Sequence, residues 1–299
     1  MTRASCDDGA AARDENVIVD APDGCSFPTN ARRATVTAME TFDSSDNLHG
    51  ATFTATNLRG ARFIRADLSG TVMRGVDLLG ADIDAPWLAE DGSTLLVNGV
   101  DVVPLVEAEL NRRFPGRAER RATDADGLRH AWARVEEAWE KALERAARLP
   151  AGAVEVQVDG EWSFAQTLRH LVMATDTWLR KAILEIEQPY HPLGQPNAEF
   201  ETDGYDLSAF ATEPPRYQEV LEARRDRQAM VRDFLAAVTP DELNKERRNP
   251  WAPNHAVTVR SCLYTILNEE WDHLRYALRD LDAVECGAGA NPGTEAHSK

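Results

Sequence analysis

Residues 268–280 read NEEWDHLRYALRD. Acids, a histidine and two arginines stand there among large apolar side chains. Over the wider stretch Thr258 to Asp282, residues Leu263, Leu267, Trp271, Leu274 and Leu278 recur at the three- and four-residue spacing of one helix face. Glu269 and His273, one turn apart, share a strip along the edge of that stripe. The segment from Ser163 to Ile186 repeats the pattern with Phe164, Leu168, Leu171, Thr175 and Ala182, opens on a serine suited to an N-cap, and carries His170 along its edge. Two further amphipathic segments, DADGLRHAWARVEEAWEKALERAARL ended by Pro150, and Tyr217 to Val238 after Pro214 and Pro215, complete a set of four. Four such helices predict a mainly α chain built on a four-helix bundle, with the loop QPYHPLGQPNAEFETDGYDLSAF crossing between the second and third.

If the two edges meet at a helix seam, His170, Glu269 and His273 form an N,N,O ligand set suited to zinc or another divalent first-row metal, with a position left open. Glu270 competes with Glu269, because it lies nearer the centre of the apolar arc and stands three residues before His273. Spacing leaves both carboxylates open, and leaves open an ordinary Glu–His surface pair with an unrelated His170. His49, His130, His191, His255 and His297 read as surface or packing residues.

A different period governs the N-terminal third. Leu48, Phe53, Leu58, Phe63, Leu68, Met73, Leu78 and Ile83 recur every five residues, each preceded two positions earlier by a short side chain from Asp46 to Ala81. Five fits neither a helix nor a strand face, but it suits a square coil that turns one large residue inward per side. TNLRG, ADLSG and VDLLG resemble the pentapeptide-repeat family, which implies a short right-handed quadrilateral β-helix of about two coils. Some members of that family mimic DNA charge. Asp46, Asp67, Asp77, Asp82 and Asp84 against Arg59, Arg62, Arg65 and Arg74 leave this coil nearly neutral, so a scaffold or a dimer contact is the expectation here.

The pattern divides the 299 residues into a leader (1–44), the repeats (45–86), a connector (87–123), the bundle (124–282) and a tail (283–299). A net charge of −17 argues against a nucleic-acid or anionic-membrane partner, since both are gripped by lysine and arginine. Cys6, Cys25, Cys262 and Cys286 form no CxxC pair, no basic flank precedes an apolar run, and no stretch of membrane-spanning length is apolar throughout. A reducing cytoplasm is the expected setting.

SFAQTLRHLVMATDTWL and EEWDHLRYALRDL resemble the metal-binding helices of the DinB/YfiT-type bundle family, in particular its mycothiol-dependent branch that includes maleylpyruvate isomerase. The resemblance covers about residues 125–282, and with the pentapeptide preface it reads as an actinobacterial architecture. It implies His170 as first ligand, and the ExxxH of that branch maps onto Glu269 and His273. It further implies a divalent metal, zinc first with iron, nickel or manganese as other occupants, and mycothiol as thiol co-substrate. The function implied is an S-transferase that activates the small-molecule thiol on the metal for attack on an electrophile. A thiol-dependent isomerase, a metal-dependent hydrolase, or a non-catalytic dimeric binding module are the other readings. Arg275, Tyr276 and Arg279, within two turns of His273, are candidates to meet a sugar thiol or an anionic substrate, while Cys262 reads as a packing residue.

Overall fold

The computed structural model describes residues 41–42, 45–90, 92–198 and 200–287. The leader before 41 and the tail beyond 287 lie outside the described residues. The chain divides into two compact units, Met1–Asp82 and Ile83–Lys299.

In the first unit the five-residue period appears as corners. Gly50, Ala55, Gly60, Arg65, Gly70, Gly75 and Gly80 all take positive φ. Alternate corners are built differently. Backbone turns close at Ala51, Ala61, Thr71 and Ala81, whose N–H groups donate to the carbonyls three residues earlier. Just ahead of each, a side-chain oxygen of Asn47, Asn57, Asp67 or Asp77 accepts from the N–H two residues on, at 2.9–3.1 Å. The true repeat of the backbone is therefore ten residues, and the Asn or Asp of TNLRG and ADLSG is the brace of every second corner.

Among the described residues of this unit the backbone bonds are local turn bonds and no strand is formed, and the large apolar residues of the repeat are 44–60 % exposed.

The second unit opens with a hairpin, β1 (Leu96–Val97) and β2 (Val100–Asp101), joined through Asn98 and Gly99, both at positive φ. Asn-Gly is the pair that such a two-residue turn favours. The stretch read as a connector then forms a helix, α1 (Val103–Arg113), with proline in its first turn, followed by a 3₁₀ turn, Arg117–Arg121. Glu107 on α1 accepts from Arg117 and Arg120 at 2.8 and 2.9 Å.

The bundle consists of α2 (Ala125–Ala146), α3 (Phe164–Thr175), α4 (Tyr217–Ala237) and α6 (Val259–Glu285), with a short α5 (Pro240–Leu243) and a hairpin of β3 (Glu246–Arg248) and β4 (Ala256–Thr258) leading into α6. The starts of three of these helices are fixed by capping side chains. Asp124 accepts from Gly127, while Ser163 with Gln166 and Thr258 with Ser261 form reciprocal boxes. The four helix positions match the four periodic segments. Trp132, Trp139, Leu168, Leu171, Trp271 and Leu274 are fully buried between them, each contributing on the order of 1.5–3 kcal/mol of transfer free energy. No helix among the described residues is long and apolar enough to cross a membrane.

One feature of α3 has no counterpart in the sequence pattern: from Asp176 to Ile183 it continues as a π-helix. Two ion pairs tie this part of the bundle together internally. Asp176 accepts from Arg227 at 2.7 Å, and Arg224 donates to Glu270, both of the latter being at most 2 % exposed. Burial raises the pKa of Glu270, and Arg224 opposes that rise. Replacing Arg224 by Met strands a buried carboxylate, and urea denaturation should show a loss of about 3–5 kcal/mol, most of it recovered in the Arg224→Met, Glu270→Leu double variant.

Candidate metal centre

The capping box at Ser163 starts α3 so that His170 falls two turns in, on the side facing α6. Glu269 and His273 lie one turn apart on α6 and face it. His170 Nε2 is 3.4 Å from a Glu269 carboxylate oxygen, and His273 Nδ1 is 3.3 Å from the same oxygen. Each residue offers one ligand atom, and the three atoms lie within 4.8 Å of one another. The side chains of His170 and His273 are 10 % and 14 % exposed and that of Glu269 is 28 % exposed, so the cluster is sheltered but reachable.

Both imidazoles have one nitrogen already committed. His170 Nδ1 donates to the backbone carbonyl of Gln195 at 3.0 Å, which directs the lone pair of Nε2 at Glu269. His273 Nδ1 donates to the carbonyl of Glu269 at 2.9 Å, leaving its Nε2 lone pair free. Burial, together with the neighbouring His170, pulls the His273 pKa down to about 4, so the ring is neutral at pH 7, as a ligand must be. Burial works to raise the Glu269 carboxyl, but its contacts with His170 and His273 oppose burial and hold the group below its usual range. Two imidazole nitrogens and one carboxylate oxygen within 4.8 Å of one another fit a divalent first-row cation.

An aromatic wall closes one side. Trp162, just before the Ser163 cap, lies 4.7 Å from the His170 ring and 6.3 Å from that of His273, and the two imidazoles are themselves stacked at 4.7 Å. The Tyr276 ring meets His273 edge-on at 5.8 Å.

The rival carboxylate lies elsewhere. Glu270 points into the bundle at Arg224, and Glu269 is the acid against the histidines. Arg275 is held in a two-bond grip by Asp84 at 2.8 and 3.0 Å, and the Tyr276 hydroxyl donates to the same carboxylate at 3.3 Å. Arg279 spans Glu161 and Asp280 at 2.6 and 2.7 Å. Of these three, Tyr276 is the one that contacts a histidine of the cluster. Among the other histidines, His130 pairs with Glu119 on an exposed face and His191 serves its own loop, its N–H donating to Asp176 at 2.7 Å. His49 sits at a repeat corner, His255 turns the β3–β4 connection, and His297 lies outside the described residues.

Sequence reasoning missed two participants. Trp162 carried a readable signal, an aromatic just outside a capped helix that bears a candidate ligand. The Gln195 carbonyl carried none, because a backbone oxygen has no residue signature.

Residues 134–277 match the family model described as the DinB superfamily, and residues 47–83 match that of pentapeptide repeats in 8 copies. The chain thus carries a DinB superfamily domain, and His170, Glu269 and His273 all fall within it. No curated protein and no solved structure matches the chain.

Among the described cysteines, Cys262 is fully buried, and burial pushes its thiol up to about 12, whereas Cys286 is exposed. Only the thiolate alkylates. Brief iodoacetamide treatment of the native protein at pH 8, followed by peptide mass analysis, should label Cys286 and spare Cys262 until denaturant is added.

Proposed function

We propose that the chain is a metal-dependent thiol S-transferase, with mycothiol as the thiol and a small electrophilic molecule as acceptor. The observation that carries the reading is the convergence of His170, Glu269 and His273, each imidazole fixed through its other nitrogen so that a lone pair remains for a cation. The DinB superfamily includes metal-dependent enzymes, which supports the same conclusion.

Zinc is the first candidate, with iron, nickel and manganese compatible with the same donors. A divalent cation held there supplies Lewis acidity that keeps a thiol deprotonated at neutral pH. The chain's own contributions are positional. Glu269 brings one negative charge, the two neutral rings bring none, and the site thereby retains net positive charge for an anionic sulfur. Trp162 covers one flank and limits access of water from that side. Tyr276 stands against the flank of His273, with Arg275 and Arg279 just beyond it, held by Asp84, Glu161 and Asp280. In this reading these groups recognise the polar part of a sugar thiol by exchanging those carboxylates for it. Sulfur then attacks the electrophilic carbon, the S–C bond forms, and the leaving group departs with the electron pair. Glu270 has no part in holding the cation. A cytoplasmic thiol pool and a homodimer complete the proposal.

Tag-free protein should contain about one equivalent of divalent metal, lost in His170→Ala, Glu269→Gln and His273→Ala and retained in Glu270→Gln. Conjugation of mycothiol, and not glutathione, to generic electrophiles should disappear with the metal. Turnover with water and no thiol would redirect the assignment to a hydrolase, and thiol-dependent conversion without thiol consumption to an isomerase. Failure to bind metal even after reconstitution would overturn all three.

A further inference from the structure

Lysine is scarce in this chain: there are four, at 141, 181, 245 and 299. Lys141 and Lys245 pair with Glu137 and Glu242 one turn away. Lys181 differs. Among the described residues it has no ion-pair partner, and its ammonium lies instead over three ring faces, Tyr190 at 5.9 Å, Tyr205 at 6.0 Å and Trp251 at 5.7 Å. The rings come from distant segments: Tyr190 and Tyr205 from the long loop after the π-helix, and Trp251 from the β3–β4 connection. A half-buried cation with no ion-pair partner among the described residues is held by the negative faces of the rings, an attraction on the order of 0.5–2 kcal/mol per well-placed contact.

That loop is the one that orients His170. Tyr190 packs on Phe210 at 5.3 Å. Phe210 in turn presses on Gly194, where a Cβ would come within 3.0 Å of the Phe210 ring and 3.2 Å of Met173 on α3. The next residue is Gln195, whose N–H donates to the Arg169 carbonyl at 3.1 Å and whose own carbonyl accepts from His170 at 3.0 Å. An unbroken series of contacts therefore runs from Lys181 through Tyr190, Phe210 and Gly194 to the oxygen that sets the His170 ring.

We infer that Lys181 is a positioning residue for the metal centre: its cation–π grip on Tyr190, Tyr205 and Trp251 orders the 187–210 loop, and through Gln195 fixes the ring of His170. The inference rests on the metal-binding reading proposed above. Removing a partner that orients a ligand typically costs about 10–100-fold in metal affinity. Here the effect passes through several contacts and belongs at the lower end.

The test compares Lys181→Met, which keeps the length and apolar stem and still packs on aromatic rings, with Lys181→Arg, which keeps the cation. Zn²⁺ affinity is measured by chelator competition, and amide hydrogen exchange over residues 190–197 is measured in metal-free protein. Lys181→Met should bind Zn²⁺ about 10-fold more weakly and exchange faster in that loop, with the helix amides protected as in the wild type, and Lys181→Arg should restore both. Wild-type affinity and loop protection in Lys181→Met would overturn the inference, as would a Lys181→Arg variant no better than Lys181→Met. If the wild type itself takes up no Zn²⁺, the metal reading fails separately, and the exchange measurement alone decides whether Lys181 orders the loop.

Discussion

Successive residues on a helix point about 100° apart, and α6 depends on that angle at Glu269 and Glu270. One rotation of the helix sends Glu270 inward to Arg224 on α4 and presents Glu269 to His170 on α3. Two acids in sequence would ordinarily both seek water. Here the inner one is tied to a guanidinium at a site less than 2 % exposed, and any roll of α6 that moved Glu269 away from the histidines would also drag a buried charge off its partner. The ion pair contributes little net stability of its own. It makes other rotations of the helix costly, and so fixes where the carboxylate of the cluster stands.

The histidines are constrained by a second means. Each ring has one nitrogen bound to a backbone oxygen, one from its own helix and one from a loop 25 residues further along the chain. Backbone acceptors cannot change rotamer, so ring orientation inherits the rigidity of the main chain. The loop acceptor is the more exposed to disturbance, because its position depends on aromatic packing and not on a hydrogen-bonded ladder.

The helices were legible in the sequence because their determinants are local: apolar spacing, the Ser163 and Thr258 caps, and the prolines that end or precede segments. The Glu269–His273 pair was legible for the same reason, being one turn apart on one face. Spacing could not select between Glu269 and Glu270, since the deciding partner, Arg224, lies 46 residues away and its proximity is a property of the packed bundle. Likewise Asp84, which holds Arg275, lies 191 residues from it in sequence. Helix α1 escaped notice although Pro104 marked its first turn, because its apolar residues form no single clear stripe. The repeat period was readable to the residue, yet the alternation of two corner types and the exposure of the large apolar positions were not, since a five-residue pattern is silent on how coils pair.

The π-helical stretch between Asp176 and Ile183 sets the angular phase between His170, upstream of it, and Lys181 within it. A wider turn holds an additional residue relative to α geometry. Deleting one residue from this stretch would change the register between His170 and Lys181 and so the placement of Lys181 against its rings. Chain length in these eight residues is therefore constrained alongside the identity of Asp176 and Lys181. A substitution there keeps the register of the helix, whereas a single-codon deletion shifts every residue of the helix downstream of it.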